Sequence, residues 1–200
     1  MPLVLVPPAR LERWVDNFVA RHGPTSYAVV GGALRGEADD GSSFVARLPL
    51  AASYDGVPDV AGLLAAATPP DRWGVLLVRK GGFAVARLEG PRMVEHKIGQ
   101  RHVQGRTKAG GQSQQRFARR RDNQARQAYE AAAEHAARIL RPGPVVTGGD
   151  RTAVEEVLGD VRLTGLRVVE PWLAVPDPRR AVLDQAVADG QSLGVDVTNA

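Results

Sequence analysis

Between residues 9 and 22 (ARLERWVDNFVARH), Leu11, Trp14, Val15, Phe18 and Val19 fall at i, i+3, i+4, i+7 and i+8. That spacing puts them on one face of an amphipathic helix, which Gly23-Pro24 closes. The pattern then shifts toward strands. Tyr27–Leu34 and Phe44–Leu50 read as a pair joined by the hairpin loop Glu37–Gly41. In that loop Asp39 and Asp40 read as an acidic turn, ahead of a metal site. Residues 58–67 predict a short apolar helix that begins at Pro58 and stops before Pro69-Pro70. Trp73–Arg79 is continuously apolar up to its last residue and reads as a buried central strand. Lys80-Gly81-Gly82 turns the chain into Phe83–Leu88, and Val94–Ile98 continues the sheet. No helix start follows Gly81-Gly82, so a phosphate-cradling role for it gives way to a turn.

Residues 99–111 (GQRHVQGRTKAGG) have almost nothing to bury and predict an exposed loop. A long helix follows, from Ser113 as N-cap to about Leu140, stopped by Arg141-Pro142-Gly143. Its apolar side runs through Phe117, Ala125, Ala128, Ala132, Ala136 and Ile139. Val145–Thr147 reads as a strand. Gly148-Gly149 then turns into a helix capped by Asp150 or Thr152, with Glu155 and Glu156 in its favourable first turn. Leu166–Val169 is a further strand and residues 178–188 the last helix. This order predicts a mixed α/β (α+β) fold with helices packed on a mixed sheet. It divides into an elaboration of helix and hairpin over 1–70 and a main domain over 71–200.

Composition excludes several chemistries. The chain has 200 residues and no cysteine, which removes disulfide scaffolds, Cys-ligated zinc, iron–sulfur clusters and thiol nucleophiles. No apolar run reaches the length of a membrane span. Residues 1–8 lack the basic start and long apolar run of a signal peptide, so a cytoplasmic protein is expected. Charge adds the decisive asymmetry. Residues 92–127 hold ten Lys and Arg against Glu95 and Asp122, a net +8, whereas the whole chain is +4. The remainder is therefore −4, and the concentrated basic segment predicts a polyanion partner, usually nucleic acid. Arg116, Arg119, Arg120 and Arg121 stand in the opening turns of the long helix, where cations are disfavoured unless an anion arrives.

Between that loop and that helix stands Gly110-Gly111-Gln112. Residues 110–121 (GGQSQQRFARRR) resemble the catalytic loop and helix start in the central domain of eukaryotic and archaeal class I peptide release factors. The order of the elements downstream is similar too, and the resemblance covers about 71–188. It is nearest to the release-factor-like peptidyl-tRNA hydrolases of ribosome quality control, the VLRF family, in particular its actinobacterial group. The resemblance implies a ribonuclease-H-like sheet and a hydrolase that frees nascent peptides from tRNA on stalled or split ribosomes. Gln114 and Gln115 depart from the smaller or apolar residues frequent there. Two hundred residues leave no room for a codon-reading and a GTPase-recruiting domain, so the expected activity is codon-independent.

The chemistry suits the motif. Gln112 has no useful pKa and cannot be a general base, but its amide can position water and its backbone N–H can donate to an oxyanion. Gly110 and Gly111 let a thin loop tip approach closely. Arg106, Lys108, Arg116, Arg119, Arg120 and Arg121 would hold the RNA backbone. The implied partners are the large ribosomal subunit at its peptidyl transferase centre and the acceptor end of peptidyl-tRNA, with no membrane, cofactor or metal. His96 and His102 flank the loop without a third ligand at metal spacing, and Ser113 lacks the partners of a triad. Two rivals stand beside the hydrolase. A metal-dependent nuclease would need carboxylates on Trp73–Arg79 or Phe83–Leu88, which have none. A non-catalytic factor could occupy the tRNA acceptor-end site by RNA binding alone.

Overall fold

The structure, a computed structural model, describes residues 3–100 and 112–200, with side chains described for 3–99 and 126–200. The chain divides into two compact units, residues 1–70 with 187–200, and residues 71–186.

In the first unit, helix α1 (Pro8–His22) forms as its periodicity predicts and buries Leu11, Val15 and Phe18. Gly23 ends it at φ +93°, a conformation open to glycine and strained for other residues. The expected strand Tyr27–Leu34 is two strands, β2 (Thr25–Val30) and β3 (Ala33–Ala38). Gly31 and Gly32 both take positive φ, +58° and +77°, and turn the chain in a two-residue hairpin. Apolar residues on both sides of the glycine pair hid that turn. Strand β4 (Ser43–Arg47) is shorter than expected because Pro49 opens a single 3-10 turn. Helix α2 (Val60–Ala66) starts two residues after Pro58, where the Gly62 N–H donates to the Asp59 carboxylate at 2.6 Å.

The last strand, β10 (Leu193–Thr198), belongs to this unit and not to residues 71–186, with which the sequence pattern grouped it. It lies between β1 (Val4–Val6) and β4, giving the antiparallel order β1-β10-β4-β3-β2. Leu193 and Val195 are fully buried with Leu11, Phe18, Leu34, Phe44 and Leu63.

The second unit is built on β5 (Trp73–Arg79), β6 (Gly82–Glu89), β7 (Arg92–Gln100), β8 (Gly143–Gly149) and β9 (Leu166–Leu173). Their order is β7-β6-β5-β8-β9, antiparallel from β7 to β5 and parallel from β5 to β9. Helix α3 (Gln112–Ile139) presents Tyr129, Ala132, Ala133, Ala136 and Ile139 to Leu76, Val78, Phe83 and Val85 of the sheet. Small alanines at 3–4 spacing let the helix lie close to the strands. Helix α4 (Arg151–Leu158) adds Ala153, Val154 and Val157. The Ala153 N–H donates to the Asp150 carboxylate at 3.4 Å, so Asp150 is the cap. Glu155 and Glu156 lie one turn deeper than expected, because the first turn begins at Arg151. Helix α5 (Arg180–Gly190) follows β9.

Gly149 ties the end of β8 to β5. Its φ is +104°, and a Cβ there would stand 2.3 Å from the Val78 carbonyl oxygen. That same oxygen accepts the Asp150 N–H at 2.8 Å. Gly149→Ala is therefore expected to cost about 1–3 kcal/mol from backbone strain alone, read as a lower midpoint in urea unfolding. An unchanged midpoint would contradict the close approach.

Candidate functional site

β5, β7, β8 and β9 finish at one end of the second sheet, and β6 begins there. At that end Gln100 pairs with Gly82, and the chain leaves β7 for the segment that carries the motif. Gly110 and Gly111, with Arg106, Lys108 and His102, lie outside the described residues. Gln112 is the first residue of α3. Ser113 therefore falls inside the first turn and is not the cap. The helix runs from this end of the sheet toward the other, since Ala128 lines a cavity with Gly82 and Gly99 while Leu140 packs at Gly74. Sixteen residues separate Gln112 from Ala128, about 24 Å of helix at 1.5 Å per residue. Gln112 thus starts a helix that overhangs the sheet.

The four arginines stand in the second and third turns of α3, about half a turn deeper than expected, and the first turn carries no acid. The partial charge of a helix end fades within its first turn, so the dipole opposes them less than their sequence position suggested. Arg116, Arg119 and Arg120 are three and four residues apart and share an arc of about 100°. The start of α3 also leaves backbone donors. The first four N–H groups of a helix have no partner within it, and Gln112 supplies the first.

Behind this overhang, Gly82, Phe83, Lys97, Gly99, Ala128, Ala131 and His135 line a cavity of about 210 Å³. The His135 ring stacks on Phe83 at 5.5 Å between centroids. Burial, then Arg138 and Lys97, push its pKa below the ordinary histidine value. The signal for His135 in the sequence was its place among the alanines of the apolar face, which the sequence reading did not use. His96 faces elsewhere, with the Arg180 guanidinium 3.1 Å from its Nε2. Among the described residues no three His, Asp or Glu side chains group as a cation site, and no helix is long and apolar enough to cross a membrane.

The family model of the Actinobacteria/chloroflexi VLRF1 release factor matches residues 71–196. The chain belongs to this release-factor family. No curated protein matches it. The matched span of the VLRF1 release factor contains the whole second unit and residues 110–112, and it ends inside β10. Residues 1–70 lie outside it.

Proposed function

We propose that this VLRF1-family protein is a peptidyl-tRNA hydrolase that releases nascent peptides, without reading a codon, on stalled or split ribosomes. The observation that carries the reading is Gly-Gly-Gln ending on the first residue of α3, inside the matched family span. The strand order of the second unit, three antiparallel strands followed by two parallel ones, supports a ribonuclease-H-like scaffold. In this reading the protein acts in the cytoplasm, alongside ribosomes.

In this reading a water oxygen adds to the ester carbonyl carbon, and negative charge gathers on the carbonyl oxygen. The attacking water gives up a proton, the tetrahedral species collapses as the C–O bond to the terminal ribose breaks, and the ribose oxygen takes a proton in its place. An N–H at the start of α3 suits the oxyanion, since the first N–H groups of a helix have no partner within it. The Gln112 amide holds the water, and the absence of side chains at Gly110 and Gly111 lets the backbone come close. RNA of the large subunit lines the rest of the site. Arg106, Lys108, Arg116, Arg119, Arg120 and Arg121 grip phosphates and set the depth of entry.

The direct test is release of peptide from peptidyl-tRNA held on large ribosomal subunits. Release by the wild-type protein is expected. Tight binding without release, on subunits and with free peptidyl-tRNA, would favour the non-catalytic RNA-binding factor. Replacing Arg119 and Arg120 with alanine should weaken subunit binding and make its salt dependence less steep by about 0.7–0.9 in log–log slope per lost phosphate contact. Co-sedimentation across a salt series checks this, and an identical slope would remove the two arginines from the phosphate contacts.

A further inference from the structure

The pairing of β8 with β9 opens in its middle. Val146 pairs with Val169 and Gly148 with Leu173, so Thr147 alone stands opposite Glu170, Pro171 and Trp172. Such a bulge interrupts the ladder and re-aims side chains. The strands close again at Gly148, where a Cβ would stand 2.4 Å from the Leu173 carbonyl oxygen. Between the bulge and α4 lies a cavity of about 190 Å³, with apolar walls from Val154, Leu158 and Val168. Trp172 is held at its side. The Arg151 guanidinium lies 4.3 Å from the Trp172 ring centroid, and the Trp172 backbone N–H donates to the Glu170 carboxylate at 2.7 Å.

Thr147 is 1% exposed and lines this cavity. Ser42, Thr147 and Ser192 are the buried polar residues among the described ones. The Ser42 hydroxyl accepts the Ala200 N–H at 3.1 Å, and the Ser192 hydroxyl donates to the Ala188 carbonyl at 2.9 Å. The Thr147 hydroxyl has no partner among the described residues. A buried hydroxyl left so is costly until a ligand supplies the missing hydrogen bond. Glu155 and Glu170 line the same cavity, and neither has an ion-pair partner among the described residues. Exposed carboxylates without a partner stand elsewhere on the surface; here two of them share a cavity with a free buried hydroxyl. Arg151 is the cation in the lining, and Trp172 takes one face of its guanidinium. One cation against two carboxylates leaves the lining negative. No third carboxylate or imidazole joins them as a metal site among the described residues.

We propose that this cavity binds an aliphatic guanidinium or ammonium group, whose N–H donors go to the Thr147 hydroxyl and the Glu155 and Glu170 carboxylates. Ionised carboxylates only accept, so their complement must donate, and these two head groups have donors and no acceptor. The aliphatic stem suits the walls made by Val154, Leu158 and Val168. A single positive charge answers the negative lining. Such a group comes from a small free amine or from a basic side chain of a peptide laid along β9, which pairs only with β8 among the described residues. The inference is independent of peptide release, since no residue of the lining belongs to α3 or to residues 110–112.

The test follows the Thr147 amide and Trp172 indole signals in NMR spectra of the full chain. Three probes are added: butylguanidinium, its uncharged shape-match butylurea, and a short capped valine peptide with one central arginine. Butylguanidinium should shift both signals saturably and bind about tenfold more tightly than butylurea, while the Trp14 and Trp73 indoles stay in place. Thr147→Val should weaken that binding about tenfold, and so should Glu155→Gln with Glu170→Gln. Thr147→Val should also keep the wild-type midpoint in urea, because its hydroxyl has no partner to lose. A lower midpoint would give the hydroxyl a structural partner and overturn the site. Saturation by the peptide alone would uphold the site and assign it to a basic side chain on β9. Butylguanidinium binding as tight as the peptide would uphold it as a site for a free small cation. Equal binding of butylurea, or wild-type binding by either variant, would overturn the cation. No saturable shift with either charged probe would leave the cavity to water and overturn the site, whatever the release assay shows.

Discussion

Gln112→Pro should lower the rate of peptide release by about 10²–10³-fold, the usual loss when one oxyanion donor is removed. Proline is tolerated in the first position of a helix, where its missing N–H has no helical partner to lose. Gln112 occupies that position in α3, so the substitution removes the proposed donor while the helix persists. Gln112→Ala does the converse. It keeps the backbone N–H and deletes the amide that orients water, and misplaced water costs up to about 100-fold. Gly111→Ala places a methyl group where the loop must come close, with a loss of similar size expected. The three variants should still bind large subunits, because none of them removes a cation. Release is measured in single turnover at saturating protein, and circular dichroism verifies the helix. Wild-type rates for all three would take the motif out of the chemistry. A loss in Gln112→Ala alone would assign catalysis to the side chain and discard the backbone donor.

That experiment depends on a detail the sequence did not supply. Gly148-Gly149-Asp150, the Ala-rich face of α3 and the apolar run Trp73–Arg79 were readable because each obeys a local rule, and the mixed sheet of the second unit follows from them. The start of α3 was read late, since Ser113 is a favoured cap by residue type while the helix already includes Gln112. Local rules also failed at Gly31-Gly32, where apolar neighbours continued a strand pattern across a turn that only the φ values reveal. The motif and its arginines were legible as residue types in a row. The pairing of β5 with β8 was not, because it joins residues far apart in the chain, such as Gly74 and Val145. The same limit explains β10. Leu193–Thr198 has no sequence feature that selects a partner strand, and its neighbours in the sheet, β1 and β4, are encoded about 150 and more residues earlier.

Cutting the chain to the matched family span, residues 71–196, should give a poorly behaved protein, whereas residues 71–186 should stay in solution. The span ends inside β10, whose register partners are Val4–Val6 on one side and Ser43–Arg47 on the other. Without them, β10 presents two unpaired edges and two apolar side chains, Leu193 and Val195, that the full chain buries completely. The reciprocal change acts on the first unit. Burial of those two side chains is worth about 3–6 kcal/mol, comparable with the whole stability expected for a unit of this size at about 0.05–0.15 kcal/mol per residue. Val195→Asp adds an unpaired buried carboxylate to that loss. It should therefore unfold residues 1–70 with 187–200, seen as lost amide-exchange protection in β3 and β4 and a red shift of Trp14 emission. Trp14 reports on this core directly, since its ring meets Phe44 edge-on at 5.3 Å. Native exchange rates in β3 and β4 after Val195→Asp would mean that β10 is an appendage to the sheet. Loss of that protection would make the C-terminal strand the closing piece of the first unit, so that its fold waits on the last residues of the chain.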